Sequence, residues 1–192
     1  MSDIYLSNVY KEKYEDLLGD IRNIHPGTMI GKGVRIGRHV VIESGCRIGN
    51  NAIIAHGVVL RPETIIGCKT TIGHNCVFEG RTFIGDRCYI GSQSHITRDT
   101  IIEDDVFLGP MVVTCNTRRI IHGRKGELIT TGPKIHKAVR IGAGAVILAE
   151  VHIGPNAQVG IGAVVTKDIP AGELWVGNPA RFLRMVPEEE ML

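Results

Sequence analysis

A large apolar residue occupies every sixth position of the chain from Ile30 onward. The fourteen successive positions from Ile30 to Leu108 carry Ile, Leu or Phe without exception, and the row resumes at Ile135 after a break. The fourth residue after each large one is small or β-branched throughout. A period of six fits neither the 3.6-residue period of an α-helix nor the two-residue alternation of a half-buried strand. It indicates short strands separated by a corner every six residues.

Three such strands close a triangular coil, and successive coils stack about 4.8 Å apart through parallel pairing. In this arrangement residues 18 apart lie one above another on the same face. The large residues fill the triangular interior and the small ones fit near the corners. The Gly that directly follows many of the large residues supplies the backbone freedom that a corner needs. We therefore predict a mainly β fold, a parallel β-helix over residues 30–169.

Three segments depart from the repeat. Residues 9–22 carry apolar side chains at helical spacing, which predicts an amphipathic helix closing the N-terminal end, within a lead-in of residues 1–29. Residues 114–134 are out of register and predict a loop ejected from one corner, and long excursions of this kind are usually functional. Residues 170–192 form a C-terminal extension, with a short helix expected near residues 179–190.

Composition narrows the class of protein. A hydrophobic fraction of 43% is too high for a disordered chain. A net charge of +2 and a pI of about 8.3 are too weakly basic for a nucleic-acid-binding surface. Five Cys without a C-x-x-C spacing indicate reduced thiols, and Cys46, Cys76 and Cys88 fall on different faces of the predicted coil. No apolar run approaches the length of a membrane span, and we expect a soluble, cytoplasmic protein without a membrane or nucleic-acid partner.

Stacking at intervals of 18 residues brings several polar side chains to one outward-facing patch. They come from consecutive coils, one to two coils before the loop departs, and are His74, Asn75, Ser92, Gln93 and His95. No other face concentrates neutral hydrogen-bonding side chains in this way. The patch and the neighbouring loop are therefore where we expect the chemistry.

The repeat, the ejected loop and the ending VVTKDIPAGELWVGNPAR (residues 164–181) closely resemble the hexapeptide acyltransferases. The resemblance covers residues 30–184 and implies a left-handed β-helix, use of acyl-coenzyme A, and homotrimers with active sites between subunits. Within that superfamily, residues 72–110 are similar to bacterial N-acetyltransferases of polysaccharide biosynthesis that act on nucleotide-linked amino sugars. The matching motifs are Gly73–Cys76 and Glu103–Pro110. The resemblance thus implies direct acetyl transfer in a ternary complex to a UDP- or dTDP-linked 3- or 4-amino-deoxyhexose.

Two departures from the family pattern affect the catalytic assignment. Many hexapeptide acetyltransferases carry a catalytic His in a T-x-x-H-P stretch at the start of the loop, but here Thr114 begins the stretch TCNTR, which has no His. The nucleotide-sugar subfamily also lacks this His, and it often has Asn-Asn where this chain has Ser92-Gln93. This chain adds His95. The catalytic residues therefore have to be argued from the residues present.

Acyl transfer from a thioester to an amine needs a neutral amine, a donor for the oxyanion and an oriented thioester. We predict His95 as the base or amine-orienting group, with Gln93 and Asn116 binding the amine or the acyl carbonyl. The alternative for His95 is an ordinary exposed strand histidine. Substrate contacts are predicted for the patch residues His74 and Asn75, and for Glu79 and Arg81, which interrupt the usual glycine position after Phe78. The loop cations Arg118 and Arg119 could clamp a sugar-nucleotide diphosphate, and the alternative for them is a solvated charged loop.

The resemblance places coenzyme A along the later coils, where small residues let the pantetheine approach the backbone. Lys167 and Arg181 are candidates for its phosphates. Each glycine in this group is also a corner residue of the repeat, so a purely structural role is the alternative. The predicted cofactor-binding group consists of Gly142, Gly144, Ala145, Gly160, Gly162, Ala163, Lys167 and Arg181.

Three other functions fit the same fold. A γ-class carbonic anhydrase needs three His around a zinc ion; His56 and His74 stack one coil apart, but no third ligand is evident and no metal is predicted. An O-acetyltransferase for a sugar or serine is disfavoured by the missing loop His, since a hydroxyl needs a base more than an amine does. A non-catalytic scaffold is disfavoured by the ending shared with coenzyme A-dependent enzymes.

Overall fold

Short strands, most of them two residues long, fold the chain into a left-handed prism of three parallel sheets. The computed structural model describes residues 23–192, and every structural statement below concerns those residues. The prediction of a mainly β, coiled architecture is confirmed.

The first sheet contains strands Met29–Ile30, Arg47–Ile48, Ile65–Ile66, Phe83–Ile84, Ile101–Ile102, Lys134–Ile135 and His152–Ile153. The second sheet contains Arg35–Ile36, Ile53–Ile54, Thr71–Ile72, Tyr89–Ile90, Phe107–Leu108, Arg140–Ile141, Gln158–Val159, Glu173–Val176 and Arg181–Met185. The third sheet contains Val41–Ile42, Val59–Leu60, Val77–Phe78, His95–Ile96, Val113–Thr114, Val146–Ile147 and Val164–Val165. We number the coils from the first-sheet strand that begins each of them.

The predicted stacking interval is confirmed by the strand register. Ile84 pairs with Ile66 on one side and with Ile102 on the other, so pairing residues are 18 apart. We call the turn from the first to the second sheet the first corner, from the second to the third sheet the second corner, and from the third to the first sheet the third corner. Each corner therefore carries a column of residues at intervals of 18.

The core follows the predicted division between large and small residues. The row of large residues points inward, and Phe78 is its fully buried aromatic member. The small residues four positions later are also buried, as at Ala52 and Thr64. Among them Cys46 and Cys76 are buried free thiols that directly precede strands of different sheets. A column of branched side chains filling a narrow triangle explains why this sequence has many Ile and few aromatic residues.

The backbone freedom predicted for Gly at the corners is used at Gly33 and Gly57, which adopt a left-handed φ, but not at the Gly directly after the large residue. The residue that adopts a left-handed φ at the corners is the third after the large residue, and it is often not Gly, as at Asn51 (φ 57°) and Gln93 (φ 63°). The Gly directly after the large residue is required by close approach instead. A Cβ on Gly73 would lie 2.5 Å from the backbone nitrogen of Ser92 in the next coil.

The loop leaves the prism where the repeat breaks, as predicted. The third-sheet strand Val113–Thr114 ends one coil, and the chain returns in the first-sheet strand Lys134–Ile135. Ile102 pairs with Ile135, 33 positions on rather than 18, so the loop adds 15 residues to one coil. It emerges at the third corner.

The helix predicted near residues 179–190 is wrong. Arg181–Met185 forms a strand antiparallel to Glu173–Val176, and helical structure is limited to a 3-10 turn at Glu188–Glu190. Glu173–Val176 extends the second sheet by pairing with Gln158–Val159. The other edge of Glu173–Val176 would otherwise have backbone groups without a partner, and Arg181–Met185 pairs with them. Trp175 lies opposite Val159 and covers the C-terminal end of the core.

The predicted N-terminal helix at residues 9–22 lies outside the described residues. Among residues 23–192, no helix has the length and apolar character to cross a membrane.

Candidate active site

His95 stands out on the outward-facing side of the third sheet because its neighbours in the same column are valines. The column, read along the prism, is Val41, Val59, Val77, His95, Val113, Val146 and Val164. Nε2 of His95 lies 2.8 Å from Oε1 of Glu79, and both side chains are partly exposed, at 42% and 34%. The column of outward-facing valines is thus interrupted at one position by the polar His95–Glu79 pair.

The pairing of His95 with Glu79 follows from the register. Glu79 directly follows Phe78 and His95 directly precedes Ile96, and these two buried residues are strand partners. We infer that a neutral His95 ring carries its proton on Nε2, facing the carboxylate, which leaves the Nδ1 lone pair to accept a proton. The sequence interpretation took Glu79 as a sugar contact and missed this role, although the six-residue register contained the signal.

The second corner brings together four of the predicted patch residues, His74, Asn75, Ser92 and Gln93. Ser92 also has a structural task, because its Oγ accepts the backbone N–H of His74 at 3.1 Å. Gln93 is exposed and lies two residues before His95, at the edge of the face that carries the His95–Glu79 pair. The predicted patch therefore spans this corner and the adjoining third sheet.

The root of the loop lies beside the same face. Val113 pairs with His95, and the chain leaves the prism just after Thr114. The backbone oxygen of Asn116 accepts the N–H of Thr131 at 2.8 Å, which closes the neck of the loop. No hydrogen bond joins Asn116 or Gln93 to His95 within residues 23–192. Their predicted roles thus depend on a bound substrate.

The cations predicted to clamp the substrate differ in their surroundings. Nε of Arg118 lies 2.9 Å from Oε2 of Glu150, an ion pair that ties the loop to the third corner of the next coil. Arg119 lines a loop pocket of about 360 Å³. Arg81 makes two hydrogen bonds of 2.8 Å to the Asp99 carboxylate. Arg81 and Arg118 thus both have carboxylate partners within the chain.

The predicted cofactor-binding glycines lie on the second corner in the sixth and seventh coils, which we call the bare corner after these glycines; the side chain of Ile161 is exposed beside them. Nothing lies within 4 Å of the position that a Cβ would take on Gly144 or Gly162, so this edge is open. Ala145 and Ala163 are fully buried and point into the prism, so only their backbone is available to a ligand, and their place in the cofactor-binding group stays a prediction.

The other predicted cofactor residues are distributed as follows. Gly142 and Gly160 lie at the start of the same bare corner, where a Cβ would meet the next layer of chain. Lys167 belongs to the third corner, and its Nζ sits 5.1 Å from the centre of the Trp175 ring. Arg181 lies in the C-terminal hairpin and donates a hydrogen bond to the Ala180 oxygen at 2.9 Å. The second corner therefore holds the glycines but neither of the two predicted phosphate-binding cations.

For the metal-binding alternative, the structure brings two histidines together but supplies no third ligand among residues 23–192. The rings of His56 and His74 stack with their centres 5.3 Å apart. Within residues 23–192, no group of three His, Cys, Asp or Glu side chains is placed to hold a metal ion.

Two family models match the chain. Residues 18–123, more than half of it, match the model described as the GMPPB C-terminal domain. Residues 135–167 match the hexapeptide repeat of succinyl-transferase. The first match runs into the ejected loop, and the second begins where the chain has re-entered the prism.

Curated relatives match parts of the chain. A Schizosaccharomyces pombe protein assigned as an acetyltransferase is 40% identical over 91 residues, 46% of this chain and 44% of its own. The Escherichia coli galactoside O-acetyltransferase is 34% identical over 92 residues, 46% of this chain and 45% of its own. A Staphylococcus aureus 2,3,4,5-tetrahydropyridine-2,6-dicarboxylate N-acetyltransferase is 46% identical over 54 residues, 28% of this chain and 23% of its own. The chain thus spans less than half the length of each of these relatives.

Solved structures share the fold. A UDP-N-acetylglucosamine acyltransferase superposes with a TM-score of 0.63 at 19% identity, over 84% of this chain and 71% of its own. The Arabidopsis UDP-N-acetylglucosamine acyltransferase gives a TM-score of 0.55 at 21% identity, over 87% of this chain and 73% of its own.

Proposed function

The chain belongs to the GMPPB C-terminal domain family of hexapeptide-repeat proteins, and on that premise we propose that it is an acyl-CoA-dependent N-acyltransferase. The acyl group is acetyl, and the acceptor is the amino group of a nucleotide-linked amino sugar. The observation that carries this proposal is the His95–Glu79 pair, set into a valine column between the loop root and the open second corner. The acetyltransferase names of the curated relatives support acetyl transfer, to oxygen in one of them and to nitrogen in another.

His95 acts as the base. The amine nitrogen attacks the carbonyl carbon of the thioester, and Nδ1 of His95 accepts the proton that the nitrogen loses. Breaking the carbon–sulfur bond then releases the thiolate, which takes that proton and leaves as the free thiol. Glu79 accepts a hydrogen bond from the Nε2–H of His95, which fixes the orientation of the ring. The Glu79 carboxylate also stabilises the positive charge that the ring gains during proton transfer. Atoms and charge balance without a further reactant.

The remaining predicted residues supply binding and orientation. The side-chain amides of Gln93 and Asn116 donate to the acyl carbonyl oxygen as it becomes an oxyanion, since they flank the His95 face from two sides. The corner at Gly144 and Gly162 takes the pantetheine arm, because these two residues have no side chain to separate a ligand from the backbone. The protein works as a homotrimer, with the loop of one subunit facing this site on its neighbour.

The experiment is a thiol-release assay with acetyl-CoA and a panel of UDP- and dTDP-linked amino sugars. Each amino sugar is paired with the same sugar carrying a hydroxyl in place of the amine. We expect thiol release with at least one amino sugar and none with its hydroxyl counterpart. Release with the hydroxyl sugars alone would contradict N-acylation, and no release from acetyl-CoA with any acceptor would contradict the proposal as a whole.

A further inference from the structure

Carboxylates are missing from one side of the prism. Residues 29–114 contain eight Asp and Glu, and all eight lie on the first sheet, the first corner or the third corner; they are Glu43, Glu63, Glu79, Asp86, Asp99, Glu103, Asp104 and Asp105. The segments that run from the second-sheet strand through the second corner to the third-sheet strand contain none. These segments are residues 35–42, 53–60, 71–78, 89–96 and 107–114. Apart from Glu79, whose carboxylate reaches His95 from the third corner, this side of the first five coils has no negative side chain to repel an anion.

Hydrogen-bond donors form a column on the same side. Arg38, His56 and His74 occupy equivalent positions of the second corner in the first three coils, and all three side chains are exposed. The two imidazole rings are nearly parallel, with an interplanar angle of 7° and centres 5.3 Å apart. Within residues 23–192, Arg38 has no carboxylate partner. The column thus presents three nitrogen donors at intervals of one coil, about 4.8 Å each.

The backbone fixes which nitrogen of His56 is a donor. Nδ1 of His56 accepts the N–H of Arg38 at 2.8 Å, so a neutral His56 ring carries its proton on Nε2. This contact also holds the ring in place. The corner therefore orients the His56 donor before any ligand binds, which reduces the ordering cost of binding.

We propose that Arg38, His56 and His74 form a binding subsite for a phosphate or diphosphate group. Guanidinium and imidazole N–H groups are suited to phosphate oxygens, and donors repeated along a column can bind successive phosphates. This deepens the proposed function and rests on it for the identity of the ligand. The column starts one coil from the His95 strand, on the side away from the bare Gly144–Gly162 corner. The subsite therefore holds the phosphates of the acceptor, with its amine at His95 and the acyl donor approaching from the opposite end.

The subsite differs from the clamp expected from the sequence. Arg118 in the loop is engaged by Glu150 and Arg81 by Asp99, so neither is a free cation. The acceptor phosphates instead meet a part of the prism that is rigid and already hydrogen-bonded.

The test introduces a negative charge at two equivalent positions of the second coil. In His56→Asp the new carboxylate can still accept the N–H of Arg38, as Oδ1 of Asp86 accepts the N–H of Cys68 at 2.7 Å. The matched control is Asn50→Asp, because Oδ1 of Asn50 accepts the N–H of Lys32 at 2.7 Å on the first corner. Both variants introduce one negative charge and keep the corner hydrogen bond, so both are expected to fold.

The probe is inorganic pyrophosphate, with binding measured by calorimetry on the full chain. We expect the dissociation constant to rise about tenfold or more in His56→Asp and to change less than about twofold in Asn50→Asp. Binding by His56→Asp at the wild-type level, an equal loss in Asn50→Asp, or no binding by the wild type would overturn the subsite. This measurement needs no catalysis, so it stands or falls separately from the acyltransferase proposal.

A kinetic arm identifies which substrate supplies the phosphates, since acyl-CoA carries them too. We expect His56→Asp to raise the KM for the sugar nucleotide about tenfold while the KM for acetyl-CoA stays unchanged. A raised KM for acetyl-CoA alone would overturn the assignment to the acceptor.

Discussion

A substitution of Thr114 tests what stabilises the point at which the loop leaves the prism. In the third sheet this inward position carries Ile, Leu or Phe in the four coils before it, yet Thr114 is polar and fully buried. Its Oγ1 accepts the backbone N–H of Thr97 at 2.8 Å and lies 2.9 Å from Oγ1 of Thr97. One coil earlier, the equivalent N–H of Glu79 donates to the backbone oxygen of Ile96 instead. The Thr114 hydroxyl thus replaces a backbone acceptor where the chain turns away.

Thr114→Val keeps the shape of the side chain and removes the acceptor. The Thr97 N–H is then buried without a partner, which costs about 1–3 kcal/mol. For a chain of this size such a loss lowers Tm by roughly 2–12 °C. The matched control is Thr71→Val, because Thr71 is an outward-facing second-sheet residue and its hydroxyl has no hydrogen-bond partner within residues 23–192.

The assay is thermal unfolding followed by circular dichroism, combined with limited trypsin digestion at the loop cations. We expect a lower Tm and faster loop cleavage in Thr114→Val, while Thr71→Val stays close to the wild type. If the two variants have the same Tm, the Thr114 hydroxyl does not stabilise the loop root and this reasoning is refuted.

Three further predictions concern the site, acid stability and the thiols. His95→Ala should lower kcat by more than about tenfold with little change in the KM for acetyl-CoA; an unchanged kcat would remove His95 from the mechanism. The Arg87 guanidinium holds the pKa of the Asp105 carboxyl below its usual value, so the pair stabilises the fold above about pH 4 and loses this effect as the pH falls through the lowered pKa. The difference in Tm between the wild type and Arg87→Gln should therefore shrink on acidification, and a constant difference from pH 7 to 3 would contradict it. Burial raises the pKa of the Cys88 thiol to about 11. A thiol reagent at pH 8 should therefore modify no more than two of the five Cys before unfolding, the partly exposed Cys68 and Cys115. Modification of three or more Cys in the native protein would contradict the burial.

The sequence predicted the prism well because its period and the structural period are the same. Ile66, Ile84 and Ile102 stack because they are 18 apart, and no tertiary information is needed to place them. The loop was predicted for the same reason, because residues 114–134 do not keep the six-residue period and so cannot continue the strands of the prism. The C-terminal strand Arg181–Met185 was missed because it depends on a free sheet edge, which only the folded chain provides.

The candidate site was predictable in part. His95 was identified because stacking at intervals of 18 residues places it in the polar patch beside the loop, which is a pattern in the sequence. Its partner Glu79 was assigned to the substrate, although the pairing of Phe78 with Ile96 places the two side chains together. The contact between Arg118 and Glu150 depends on the path of a non-repetitive loop, and no periodicity predicts such a path.

The central claim is that the second corner and the His95 face form one acyl-transfer site. A crystal structure of the protein with coenzyme A tests this most directly. We predict that the pantetheine lies along the corner at Gly144 and Gly162 and that the thiol sulfur reaches the side of His95 that carries Nδ1. A coenzyme bound at the first corner, or a thiol remote from His95, would contradict the account.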